Sequence, residues 1–68
     1  MTPWRHINAV TRGTDTHEVH RVFMPSSGWT WFGWRLNAKG VRSVRLSGAF
    51  ESEWEARSRC ELDSRDPL

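Results

Sequence analysis

His17-Glu18-Val19-His20 sets two imidazoles three residues apart with a carboxylate between them, the start of a possible divalent-metal site. On a strand, residues three apart project from opposite faces, so these two rings cannot grip one ion, and His6 and Cys60 are too distant in sequence to complete a site locally. No metal is expected. Cys60, the single cysteine, would need a lowered pKa and an adjacent base to act as a nucleophile, whereas its place in a helix predicts burial against a sheet. Glu51, Glu53 and Glu55 have the chemistry of acid–base carboxylates, yet they fall where a helix begins and where acidic side chains complement the helix dipole. With no glycine-rich phosphate loop and no Ser-His-Asp set, the chain is read as a non-enzyme without a cofactor.

The run Gly28-Trp29-Thr30-Trp31-Phe32-Gly33-Trp34-Arg35-Leu36 says more, because it holds three of the five tryptophans in nine residues. As a strand it must show aromatic rings on both faces, and only one of them can be core. Alternation puts Phe32, Trp34 and Leu36 on one side and Trp29, Trp31, Gly33 and Arg35 on the other. Leu36 and Phe32 are assigned to the core, joined from the next strand by Val44 and Leu46. Trp29, Trp31, Arg35 and Arg45 then form an outward face, and these four are the candidate binding residues. Indoles stack on bases or fill a partner's pocket, and guanidinium groups bind phosphates or guanine edges. The competing reading is intramolecular, with Trp4 and the N-terminal strand, or the segment before Glu18, folded over the rings.

The elements that must position these residues follow from turn chemistry. Residues 11–16, 25–28 and 37–40 are turn formers between β-branched or aromatic runs, which predicts an antiparallel meander with strands at about 4–10, 18–24, 29–36 and 41–47. Ser52 with Glu55 is a capping-box pair, and a helix is predicted over about 53–62 with Ala56 and Cys60 as its small packing stripe. The fold class is α+β: an antiparallel sheet of three or four strands with one C-terminal helix on one face. Residues 1–62 make one domain and 63–68 a flexible polar tail.

At 68 residues and 37% hydrophobic content the core is near the minimum for independent folding. A lone cysteine, no apolar run approaching the roughly 18 residues of a membrane span, and an N-terminus without a signal-peptide pattern point to a cytoplasmic protein with no membrane partner. Charge is divided along the chain. Residues 1–50 carry seven arginines and lysines against Asp15 and Glu18, while residues 51–68 carry three arginines against six carboxylates. The basic part suits a polyanion.

Trp34-Arg35-Leu36, Lys39-Gly40 and Gly48-Ala49-Phe50-Glu51-Ser52 with Ala56 and Cys60 resemble the YegP-like family of small prokaryotic domains of unknown function, over roughly residues 18–61. The resemblance implies a sheet-on-helix fold and no defined activity. The stretch from Gly48 to Ala56 is also similar to the signature of three-strand-plus-helix DNA-binding domains, the ethylene-response-factor and integrase arm-binding types. That similarity implies a helix behind the sheet and Trp29, Trp31, Arg35 and Arg45 facing DNA. The expected function is therefore a non-enzymatic macromolecule-binding module that uses a Trp/Arg sheet face, with nucleic acid as the leading partner. The alternative is a small phage or mobile-element protein that inhibits a host protein complex. A homodimer through the Trp face is a further possible partner arrangement.

Overall fold

In the computed structural model, which describes residues 3–65, five strands and one helix follow in chain order. They are β1 (Arg5–Asn8), β2 (Thr11–Gly13), β3 (His17–Met24), β4 (Gly28–Leu36), β5 (Arg42–Arg45) and α1 (Glu53–Arg65). The strands form one antiparallel sheet in the order β1-β2-β3-β4-β5, with α1 across one face, so the fold class is α+β as the turn pattern predicts.

The sheet has one strand more than the upper expectation because the predicted first strand breaks at Asn8. Its side-chain oxygen accepts the Val10 N–H at 2.9 Å, a local turn that folds the chain back on itself. Thr11-Arg12-Gly13, read from sequence as turn residues, instead pairs with both β1 and β3. The turn proper is Thr14–Thr16, where Thr14 Oγ1 accepts the N–H groups of Thr16 and His17 at 3.2 and 3.0 Å. Between β4 and β5, the Asn37 side chain accepts from the Lys39 and Val41 N–H groups, and Gly40 takes the positive φ of 77° that closes the loop.

The helix starts where its cap signals place it. Ser52 Oγ accepts the Glu55 N–H at 3.3 Å, and the Glu55 carboxylate reaches back to the Glu51 N–H at 3.2 Å, a capping arrangement shifted one residue toward the N-terminus. At the other end α1 continues to Arg65, beyond the predicted stop at 62. Half of the expected polar tail, residues 63–65, is thus helix, held by the contacts of Asp63 described below, and residues 66–68 lie outside the described residues.

The core is Val19, Trp31, Leu46, Ala56 and Cys60, with Trp4 and Phe50 packed against it. Trp31 is therefore inside, on the face that α1 covers. The expected orientation of β4 is reversed. Phe32, Trp34 and Leu36 lie on the open face, while Trp29, Trp31, Gly33 and Arg35 lie on the helix side. Gly33 explains the reversal. A Cβ there would stand 3.1 Å from Cys60 Sγ and 3.6 Å from Leu46 Cδ1, so the missing side chain is the recess into which the small stripe of α1 descends. The β5 assignment holds for Leu46, which is buried on the helix side, and for Arg45, which pairs with Trp34 and turns outward. Val44, although it pairs with Arg35 on the helix side, lies at the edge and is 43% exposed instead of core. After β5 the chain still follows β4: Phe50 exchanges two backbone hydrogen bonds with Trp31, at 2.8 and 2.9 Å, before entering the helix.

Candidate functional site

The four residues singled out from sequence do not share a surface. Trp31 is 8% exposed and belongs to the core. Arg35 lies on the helix side, opposite His17 in the β3–β4 register, and both reach down to Asp63 near the end of α1. Arg35 donates to Asp63 Oδ2 through Nε at 3.0 Å and to Oδ1 through a terminal nitrogen at 2.6 Å, and His17 Nε2 meets Oδ2 at 2.8 Å. The paired Arg35 hydrogen bonds, followed by that of His17, hold the Asp63 carboxyl well below the usual carboxylate range. This cluster clasps helix to sheet. Its carboxylate is fully engaged, which makes Arg35 a fastening and leaves it little freedom for a ligand.

Trp29 is on the same side but beyond the N-terminal end of the helix, and it is exposed. Phe23 meets it edge-on with ring centroids 5.6 Å apart, and the Arg21 guanidinium stacks on it at 4.8 Å. Arg45 alone of the four faces the open side.

The open side carries a different aromatic and basic surface, which shares only Arg45 with the expected set. Phe32 and Trp34 project from β4, each half-buried by its neighbours. From the edge strand β5, Arg45 stacks over Phe32 at 5.1 Å and Arg42 over Trp34 at 5.5 Å. Arg42 Nε also donates to Glu18 Oε1 at 2.9 Å, which orients its guanidinium above the indole. His20, directly across β3 from Phe32, shares a 2.8 Å hydrogen bond between Nδ1 and Thr11 Oγ1. Burial, and then the charge of Arg42, lowers the His20 pKa, so its ring is neutral at pH 7. Two large rings, one neutral imidazole and two guanidinium planes thus lie together on a face that no helix covers.

The two histidines of the His-Glu-Val-His run point to opposite sides of the sheet, as period-two geometry requires. The Cys60 thiol is fully buried, and burial pushes its pKa up to about 11, the opposite of what a nucleophile needs. No described helix is long and apolar enough to cross a membrane.

No family model, curated protein or solved structure matches the chain. The site itself must carry the functional reading. Sequence reasoning missed Phe32, Trp34, Arg42 and His20 as surface residues because it placed the helix on their face. The signal that could have found them is Gly33, since the small residues Ala56 and Cys60 call for a gap on the sheet opposite, and Gly33 is the gap in β4.

Proposed function

We propose that this protein is a non-enzymatic binding module that takes nucleic acid on the open face of its sheet. The observation that carries the reading is the pair of ring-stacked arginines, Arg45 on Phe32 and Arg42 on Trp34. A guanidinium held over a ring carries N–H donors suited to phosphate oxygens, those of Arg42 being shared with Glu18, and an aromatic ring offers a base a stacking surface.

Charge supports the same assignment. The open face carries Arg5, Arg42 and Arg45 against Glu18, whereas the carboxylates of α1 sit behind the sheet. The local excess of positive charge on the open face favours a polyanion there, while Arg12, Arg21 and Arg35 of the same basic part of the chain lie on the helix side among the carboxylates of α1.

The test is a titration of labelled oligonucleotides at two salt concentrations. Binding should weaken steeply with salt, and Arg45→Ala, which removes an exposed side chain from an edge strand, should lower the slope of log K against log salt by about one phosphate equivalent. An absence of binding at low salt would refute the proposal and favour a protein partner instead, whose aromatic contacts would respond little to salt.

A further inference from the structure

Two dimensions of the open face select among nucleic acids. Adjacent strands lie about 4.8 Å apart, so the sheet measures roughly 19 Å from β1 to β5. The B-form major groove is about 12 Å wide and admits a helix or a two-stranded ribbon. Phe32 and Trp34 sit one strand in from the β5 edge, with β3, β2 and β1 extending to the other side. Pressed toward a groove, this face would meet the phosphate walls before its rings met a base. Here it differs from the three-strand DNA readers that the Gly48–Ala56 stretch resembles.

Along β4, the two rings stand two residues apart on one face, a separation of about 6.8 Å. Stacked nucleotides in a duplex advance only about 3.4 Å per strand step. Neighbouring bases can reach both rings only when they are unstacked from each other, which an unpaired strand allows.

We propose that the ligand is single-stranded nucleic acid, with two neighbouring bases lying on Phe32 and Trp34. This rests on the reading of the open face as a nucleic-acid surface. The arginines now above the rings are displaced in the complex. An exposed cation–π contact is worth roughly two- to fivefold in an equilibrium constant, and a base on an aromatic side chain roughly five- to 150-fold. Stacking therefore wins over the cation–π contacts, the Arg45 guanidinium moves out to the phosphates that accompany the bases, and Arg42 swings off Trp34 while still paired to Glu18. His20, neutral and across from Phe32, flanks the first base without adding charge.

The experiment compares a labelled twelve-nucleotide oligothymidylate, an oligouridylate of the same length and a twelve-base-pair duplex at low salt. Both single strands should bind at least tenfold more tightly than the duplex, and the ratio between the two reads any preference for DNA or RNA. Phe32→Leu and Trp34→Leu, which keep an apolar side chain and remove the ring, should each weaken single-strand binding about five- to 150-fold while leaving the salt slope unchanged. Trp34→Phe covers the case in which a leucine variant does not fold. It should hold affinity within about fivefold and lose the part of the tryptophan quenching that wild type shows on binding. Duplex binding as tight as single-strand binding would overturn this inference alone, as would folded leucine variants with wild-type affinity or unchanged quenching in Trp34→Phe. No binding to any of the three probes would remove the nucleic-acid reading itself.

Discussion

Gly33→Ala discriminates between the two possible orientations of β4, because they predict opposite signs. The Gly33 backbone is ordinary strand, so alanine fits its dihedral angles. Its new methyl, however, would sit 3.1 Å from Cys60 Sγ, 3.6 Å from Leu46 Cδ1 and 3.8 Å from the Ala56 carbonyl oxygen. Unstrained heavy-atom contacts begin near about 3.5 Å. Cys60 and Ala56 are fully buried and cannot swing aside, so the helix must back off by a few tenths of an ångström. Overpacking of this kind costs roughly 1–3 kcal/mol, and replacing glycine within a strand returns about 0.5–1 kcal/mol of chain entropy. The net expectation is a loss of about 0–2.5 kcal/mol, centred near ~1 kcal/mol. Were residue 33 on the open side, only the entropy gain would remain and the protein would become more stable. Urea unfolding followed by tryptophan fluorescence reads the difference as a shift of midpoint at constant slope. Cys60→Ala removes the offending sulfur, so Gly33→Ala in that background should cost about 1 kcal/mol less than in wild type. A raised midpoint for Gly33→Ala, or additivity of the two substitutions within about 0.5 kcal/mol, would refute the packing described above.

Two further outcomes follow from the clasp and the cap. Asp63→Ala strands the buried His17 Nε2 without its partner and should destabilise the fold by about 1–3 kcal/mol at pH 7. Because the folded-state pKa of Asp63 is depressed, its contribution is complete above the unfolded value near pH ~3.9 and fades as pH falls below it. Parallel urea titrations should therefore show wild type and Asp63→Ala converging in acid, and a constant gap down to pH 2 would count against the clasp. Ser52→Ala should lose about 0.5–2 kcal/mol without changing oligonucleotide affinity, since the helix start lies behind the sheet, and equal melting points would remove the cap.

The parts of this fold legible in the sequence are those specified by neighbours in the chain. Asn37 with Gly40 marks one turn and Ser52 with Glu55 marks the helix start, because each pairs a side chain with a backbone group only a few residues away. The split of β1 from β2 was hidden. Thr11-Arg12-Gly13 has the composition of a turn, and its ladder partners on β3 override that preference. The orientation of β4 was hidden for another reason: with Trp29 and Trp31 on one side and Phe32 and Trp34 on the other, hydrophobicity does not choose between faces. The choice is made at Gly33 by what is absent, and a sequence pattern weighted toward large residues passes over it. Arg45 turns away from the helix as expected because Val44-Arg45-Leu46 alternates aliphatic and polar residues, but Trp29, Trp31 and Arg35 are not on its face. Arg35 was not, because its partner Asp63 lies 28 residues away on another element.

The meander connects each strand to the one before it, and this has a kinetic consequence. Every ladder closes through a short turn, so the loop-closure entropy of the sheet is small and its hairpins can zip independently. The contacts that fasten α1 are of another range, with Trp4 bonded to Glu61 across 57 residues and His17 to Asp63 across 46. Docking of the helix is therefore expected to follow closure of the sheet in folding, an order that slower folding without faster unfolding in a sheet variant, and the reverse in Asp63→Ala, would verify. An opening confined to α1 would uncover Val19 and Trp31 on the far side and leave in place the ladders that align Phe32, Trp34, Arg42 and Arg45.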